Sequence, residues 1–191
     1  MTNIFTTLTD YMVEQHIIPA EDHAIYQYGL QQGFVLLLNI LTILALGLLN
    51  HMLPESVIFL FAYTPLRTFA GGFHARTQLR CYFGGIVLTQ AVLLAMRWIP
   101  HTPVIITILG LAAFFIIFAL APVADVNKPL TLKEKTVYRQ KAHILLIGLL
   151  AVAVLLYVLH FSALSAAIVI SLDALAIMLL LGYPHQPAVK Q

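Results

Sequence analysis

Charge is what this chain has least of. Only 9% of its 191 residues are Asp, Glu, Lys or Arg, against about 25% in an ordinary soluble domain. By contrast 61% are apolar, and the mean hydropathy is +0.92. A water-exposed globule of this size is thereby excluded, and the chain reads as a polytopic integral membrane protein. Its net charge of +2 offers no electrostatic basis for binding nucleic acid. Cysteine is almost absent as well: Cys81 stands alone, which excludes a disulfide framework within the chain and any multi-cysteine metal site. It is either a free thiol or half of a bridge between copies. The first 30 residues hold no Lys or Arg, and Asp10, Glu14, Glu21 and Asp22 interrupt their apolar positions. A cleavable secretory signal needs a basic start and an unbroken apolar core, so the N-terminus is expected to stay on the mature protein. Internal repeats and low-complexity tracts are missing too.

What is present is hydrocarbon in blocks. A helix needs roughly 20 apolar residues to cross a bilayer. Five segments meet or approach that length, at about 33–53, 82–99, 102–121, 142–161 and 163–181. A sixth, 55–70, contains Pro65 and Arg67, which predicts a short or kinked crossing that runs out into a polar loop. The expected fold is all-α, a single membrane domain with about six transmembrane helices. Residues 1–31 are expected to form an interfacial region of two short helices divided at Pro19. In the first, Ile4, Phe5, Leu8, Tyr11 and Met12 recur at helical spacing on one side.

The basic residues orient this arrangement. With six crossings and a cytoplasmic N-terminus, the inner loops are 67–81, 122–141 and the C-terminal tail. They hold Arg67, Arg76, Arg80, Lys128, Lys133, Lys135, Arg139, Lys141 and Lys190, leaving only Arg97 of the ten basic residues outside. That asymmetry is the positive-inside pattern, and it requires 55–70 to cross. It also puts Cys81 and His74 at the cytoplasmic face.

A thiol and an imidazole are the minimum equipment for nucleophilic acyl chemistry. Arg76 and Arg80 bring positive charge towards Cys81, and the start of a helix near residue 82 adds unpaired amides and the positive end of the helix dipole. All of these favour a thiolate. On an unbroken helix, residues seven apart lie about 10.5 Å apart along the axis, too far to hydrogen-bond. A catalytic pair therefore requires the backbone to break between His74 and Cys81, and Gly71-Gly72 and Gly84-Gly85 make bends easy. The amides at 81–82 are the expected oxyanion donors. Gln78, Asp125 and Glu134 are candidates to orient the imidazole. As metal ligands, His74 and Cys81 supply two of the four that structural zinc takes, so no metal or other cofactor is expected.

The stretch Arg67, Ala70-Gly71-Gly72-Phe73-His74-Ala75 and Cys81 resembles the signature of the accessory gene regulator B family, integral membrane cysteine endopeptidases of bacterial quorum sensing. Asn127-Lys128-Pro129-Leu130, Glu134, Lys141 and Tyr28-Gly29-Leu30 resemble further parts of its pattern, as do the length and the six apolar segments. The resemblance implies that Cys81 is the nucleophile and His74 the general base and acid. The enzyme would remove the acidic C-terminal tail of a short propeptide, hold the rest as a thioester, and let an internal Cys or Ser close a thiolactone or lactone ring without ATP. It also implies a homodimer in the bacterial cell membrane.

Several polar residues stand outside that pair. Lys128, Lys133, Lys135, Arg139 and Lys141 form a basic cluster suited to anionic lipid or to the acidic tail, with Lys128 and Arg76 as further candidate substrate contacts. Arg67 is placed either to grip substrate or to snorkel. Asp173 is the one acid deep inside an apolar segment. A small peptide transporter or exporter subunit built on Asp173 is the alternative reading, and a non-catalytic scaffold a third. Asn39, Asn50, Gln90 and His143 are expected to hydrogen-bond between helices.

Overall fold

A computed structural model describes residues 2–73, 77–124 and 131–185. Seven α-helices occur among them: α1 (Thr2–Glu14), α2 (His23–Leu49), α3 (Leu53–Ala70), α4 (Gln78–Trp98), α5 (Pro103–Leu120), α6 (Leu132–Val158) and α7 (Ser162–Gly182). The all-α expectation holds. Five of these helices are long and apolar enough to cross a membrane: α2, α4, α5, α6 and α7. The chain divides into two units, residues 1–42 and 43–191.

In the first unit, α1 folds back on the start of α2. The Thr6 hydroxyl accepts from the Gln27 amide at 2.8 Å, His23 Nε2 meets Asp10 Oδ1 at 2.8 Å, and the Phe5 and Phe34 rings lie 5.7 Å apart. Ile4, Leu8 and Tyr11 remain exposed, the apolar side anticipated for an interfacial helix. The second short helix is not separate. After a single 3-10 turn at Ala20–Asp22, α2 runs unbroken through the residues assigned to it and into the first span. No proline interrupts 23–49, and isolated glycines do not stop a helix of this apolarity.

In the second unit α7 is the axis. It packs against α3, α4, α5 and α6, and Ser165 through Ala176 are buried except Asp173. A helix that is apolar on every side belongs inside. Its serines and alanines keep it slim, so neighbours approach closely; Ser165 donates across to the Ala153 carbonyl at 2.8 Å.

The α3 helix lies beside α7 and α6 and buries Phe59, Ala62, Tyr63, Leu66 and Ala70. It is about 27 Å long, close to the bilayer core, but is not among the five helices long and apolar enough to span. Protein rather than lipid covers its inner side, so Tyr63, Thr64 and Arg67 are tolerable there. One end of α3 adjoins Asn50, whose amide exchanges bonds of 3.1 and 3.2 Å with Gln90 of α4. Arg97 donates to the Asn50 carbonyl at 2.8 Å at the same end. The other end of α3 meets the segment after α5 through Val123 on Ala70, and the start of α6 through Tyr138 on Phe69.

Two loop boundaries need correction. The 67–81 loop is shorter than expected: Arg67 lies in the last turn of α3 and Cys81 in the first turn of α4, leaving residues 71–77 between the helices. The 122–141 loop is also shorter, because α6 starts at Leu132. Thr131 and Glu134 form a capping box, with the Glu134 carboxylate 2.9 Å from the Thr131 amide and the Thr131 hydroxyl accepting from the Glu134 amide at 3.3 Å. That Thr-x-x-Glu pattern is a helix start, and it makes Lys133, Lys135, Arg139 and Lys141 helical.

Candidate active site

The site is built where α3 stops. Gly71 caps α3 by donating to the Arg67 carbonyl at 2.8 Å, with φ of 75°. A Cβ on Gly71 would sit 2.0 Å from the Val123 carbonyl oxygen, so the residue must be glycine for space as well as for backbone angle. The segment after α5 lies across this turn: Val123 donates to the Ala70 carbonyl at 2.9 Å, and Gly71 and Val123 form an isolated parallel bridge. On the other side is the end of α7, where a Cβ on Gly182 would come within 2.6 Å of the Phe73 nitrogen. Residues 70–73 are thus threaded between the 121–124 segment and α7.

Phe73, the residue before His74, has both backbone groups engaged. Its N–H donates to the Met178 carbonyl at 2.9 Å, and its carbonyl accepts from Arg67 Nη2 at 2.8 Å. Arg67 also donates through Nη1 to the Tyr63 hydroxyl, one helical turn back, and its guanidinium carbon stands 5.5 Å from the Tyr63 ring centroid. The Tyr63 ring stacks on Phe59 at 4.9 Å. Arg67 is therefore a half-buried strut from α3 to the turn, a more definite task than the substrate grip or snorkel expected of it.

The chain resumes at Thr77, which is extended and caps α4 by accepting from the Arg80 amide at 3.3 Å. Cys81 follows in the first turn, a free and half-buried thiol. No straight helix joins 72 to 84, because α3 closes at Ala70 and α4 opens at Gln78. The backbone break that a His–Cys pair requires is present. The expected oxyanion donors need correction at Cys81, whose N–H donates to the Thr77 carbonyl at 3.0 Å. Of the first-turn amides of α4, those of Gln78 and Leu79 precede the first helical bond.

His74, Arg76 and Lys128 lie outside the described residues, as do Asp125, Asn127 and Lys190. The helical part of the basic cluster is described and adjoins the site. Lys141 lies 5.1 Å from the Phe69 ring centroid, Tyr138 meets the same ring edge-on at 5.7 Å, and Arg139 Nε donates to the Ala121 carbonyl at 3.3 Å. Lys133 and Arg139 are exposed. Asp173 makes no bond to Ser171, whose hydroxyl donates to the Ala167 carbonyl at 2.6 Å. The Asp173 Oδ2 atom is buried with no hydrogen-bond partner among the described residues. Asn50, Gln90 and His143 do bond between helices, His143 to the Phe118 carbonyl at 3.1 Å, whereas Asn39 bonds to Val35 of its own helix.

Sequence reasoning missed Tyr63 and Val123. The signal for Tyr63 was its four-residue offset from Arg67 on a helix. Val123 acts through its backbone and leaves no side-chain signal.

Three comparisons bear on this geometry. The sequence model of one family, described as Accessory gene regulator B, matches residues 5–179. A "Putative AgrB-like protein" of Clostridium perfringens (strain SM101 / Type A) is 31% identical over 122 residues, 60% of this chain and 57% of that relative. The chain thus spans little more than half that relative's length. A "Putative AgrB-like protein 2" of Clostridium perfringens (strain 13 / Type A) is 27% identical over 151 residues, 75% of this chain and 71% of the relative. No solved structure matches the chain significantly.

Proposed function

The chain belongs to the accessory gene regulator B family, and from that premise we propose that it is a membrane cysteine endopeptidase that trims and cyclises a quorum-sensing propeptide. One observation carries the reading above the others. The chain on either side of 74–76 is fixed, by the doubly bonded Phe73 backbone and by the Thr77 cap. His74 directly follows the first anchor in the sequence, and Cys81 lies in the first turn beyond the second.

In this reading the Cys81 thiolate attacks the scissile carbonyl carbon. The C–N bond breaks, His74 protonates the departing amine, and the tail leaves. The propeptide remains as a thioester on Cys81. An internal thiol or hydroxyl of the propeptide then gives its proton to His74 and attacks the thioester carbonyl. The C–S bond breaks and the Cys81 thiolate returns, with a thiolactone or lactone released. The thioester conserves the energy of the cut peptide bond. The Gln78 and Leu79 amides support the developing oxyanion. Lys133, Lys135 and Arg139, with Arg76 and Lys128, receive the acidic tail. The site opens to the cytoplasm, and the working unit is a homodimer.

The test uses the full-length protein in vesicles with the propeptide encoded beside its gene. Cys81→Ala abolishes cleavage while insertion stays normal, and the wild type yields a thioester adduct that hydroxylamine releases. Cleavage that persists in Cys81→Ala overturns the reading. The transporter alternative draws on the unpartnered Asp173 oxygen; it requires activity to survive Cys81→Ala and to vanish in Asp173→Asn.

A further inference from the structure

Tyr63 belongs to none of the motifs above, yet it occupies the root of the site. It is 8% exposed, in the middle of a helix whose other buried residues are apolar or small. A buried phenol requires a hydrogen-bond partner, and the partner here is Arg67. Arg67 in turn needs its fork aimed. A long guanidinium side chain loses about 2 kcal/mol of rotamer freedom when fixed, and a single bond to one backbone carbonyl is a weak way to fix it. The structure fixes it from three directions: the Tyr63 oxygen accepts from Nη1, the Tyr63 ring lies 5.5 Å beneath the charge, and the Phe73 carbonyl accepts from Nη2 at 2.8 Å. Phe59, stacked at 4.9 Å, keeps the Tyr63 ring from turning. A rigid line therefore runs from the core of α3 to the residue preceding His74.

We propose that Tyr63 is a positioning residue for the His74–Cys81 pair: through Arg67 it fixes the Phe73 carbonyl, the anchor that immediately precedes His74 in the sequence. This rests on the catalytic reading above. The chemistry is a division of labour. The Met178 carbonyl sets the height of Phe73 by taking its N–H, and Arg67 sets its rotation by holding its carbonyl. Loss of the second bond releases the Phe73 carbonyl and so loosens the anchor that precedes His74, and catalytic groups tolerate little misplacement.

A chain with one cysteine permits a test that needs no substrate. Iodoacetamide reacts with thiolate and can mark only Cys81, so its rate in mildly acidic against alkaline solution reports how far a partner stabilises the anion. Full-length wild type in vesicles should keep reacting in mild acid, and His74→Ala should lose that reaction. Tyr63→Phe, which preserves the ring and its stack on Phe59, should lower the rate in mild acid about tenfold. It should leave the alkaline rate and the helical circular dichroism unchanged. Arg67→Ala should match it, and the double variant should be no worse than Arg67→Ala alone, because both act along one line.

If Tyr63→Phe retains the wild-type profile while His74→Ala loses it, the positioning role is wrong and the catalytic pair stands. If Tyr63→Phe slows the reaction equally at both pH values, the residue governs only access to Cys81, and the proposal also fails. If His74→Ala is indistinguishable from wild type, the pairing itself fails and takes the Tyr63 role with it.

Discussion

Arg67 and Phe73 are joined across the end of α3 by a guanidinium–carbonyl hydrogen bond of 2.8 Å. A lysine at 67 keeps the charge but not the fork, and one ammonium cannot hold the Tyr63 hydroxyl and the Phe73 carbonyl in the same planar geometry. Arg67→Lys is therefore expected to insert normally and to process propeptide at least ~10-fold more slowly, the loss that small misplacement of a catalytic group brings. Initial cleavage rates in vesicles measure it. A Lys variant at full rate would mean that only the charge matters.

Gly71 and Gly110 offer a matched pair. A methyl at Gly71 collides with the Val123 carbonyl at 2.0 Å and strains a φ of 75°, whereas at Gly110 the nearest atoms are Leu150 and Val169 methyls at 3.8–3.9 Å. Gly71→Ala should lower the unfolding temperature in detergent by several degrees. Gly110→Ala should leave it equal or higher, because alanine is about 1 kcal/mol the better helix former. Thermal unfolding of the two variants side by side decides the matter, and equal effects contradict the threading of residues 70–73.

Thr131 begins α6 through its capping box with Glu134. Thr131→Ala should cost about 1 kcal/mol. The loss should be confined to the first turn, seen as faster amide exchange at residues 132–135 with the rest of α6 unchanged. Glu134→Ala added to it should cost little more, since both remove one reciprocal unit. Additive losses would show two independent interactions.

Asp173 carries a buried carboxylate oxygen with no partner among the described residues. Burying an unpaired polar group costs on the order of 1–3 kcal/mol. Asp173→Leu should recover part of that and raise the unfolding temperature, while processing continues. A destabilised variant would reveal a partner that the carboxylate serves.

The sequence was most legible where a physical rule acts on composition. Runs of hydrocarbon located every helix of the second unit, and the scarcity of charge settled the environment. The sixth, weaker segment was expected to cross because the basic residues would otherwise fall on both faces; it is a helix, α3, but not one of the five long and apolar enough to span. Boundaries were less legible. The apolar run of α6 begins near Ala142, but the helix begins at Leu132, because Thr131 and Glu134 can cap a turn that composition alone reads as loop. At the site, His74 and Cys81 stood out as the right chemistry at an impossible helical distance, and the need for a broken backbone followed from that. What holds the break was not legible. Val123, Met178 and Gly182 contribute through backbone atoms and bare space, which any residue type could in principle supply, and they arrive from segments more than 50 and 100 residues away in the chain.

The helix at the centre of the second unit follows α3, α4, α5 and α6 in the chain, so it is synthesised after them. α3, α4, α5 and α6 all pack on α7, and the Met178 carbonyl that seats Phe73 belongs to its final turns. During synthesis Cys81 is therefore in place well before α7, which backs its neighbouring turn. A nascent chain that has reached α4 therefore carries Cys81 without the Met178 carbonyl that seats Phe73, and this turn gains its second wall only when α7 is in place.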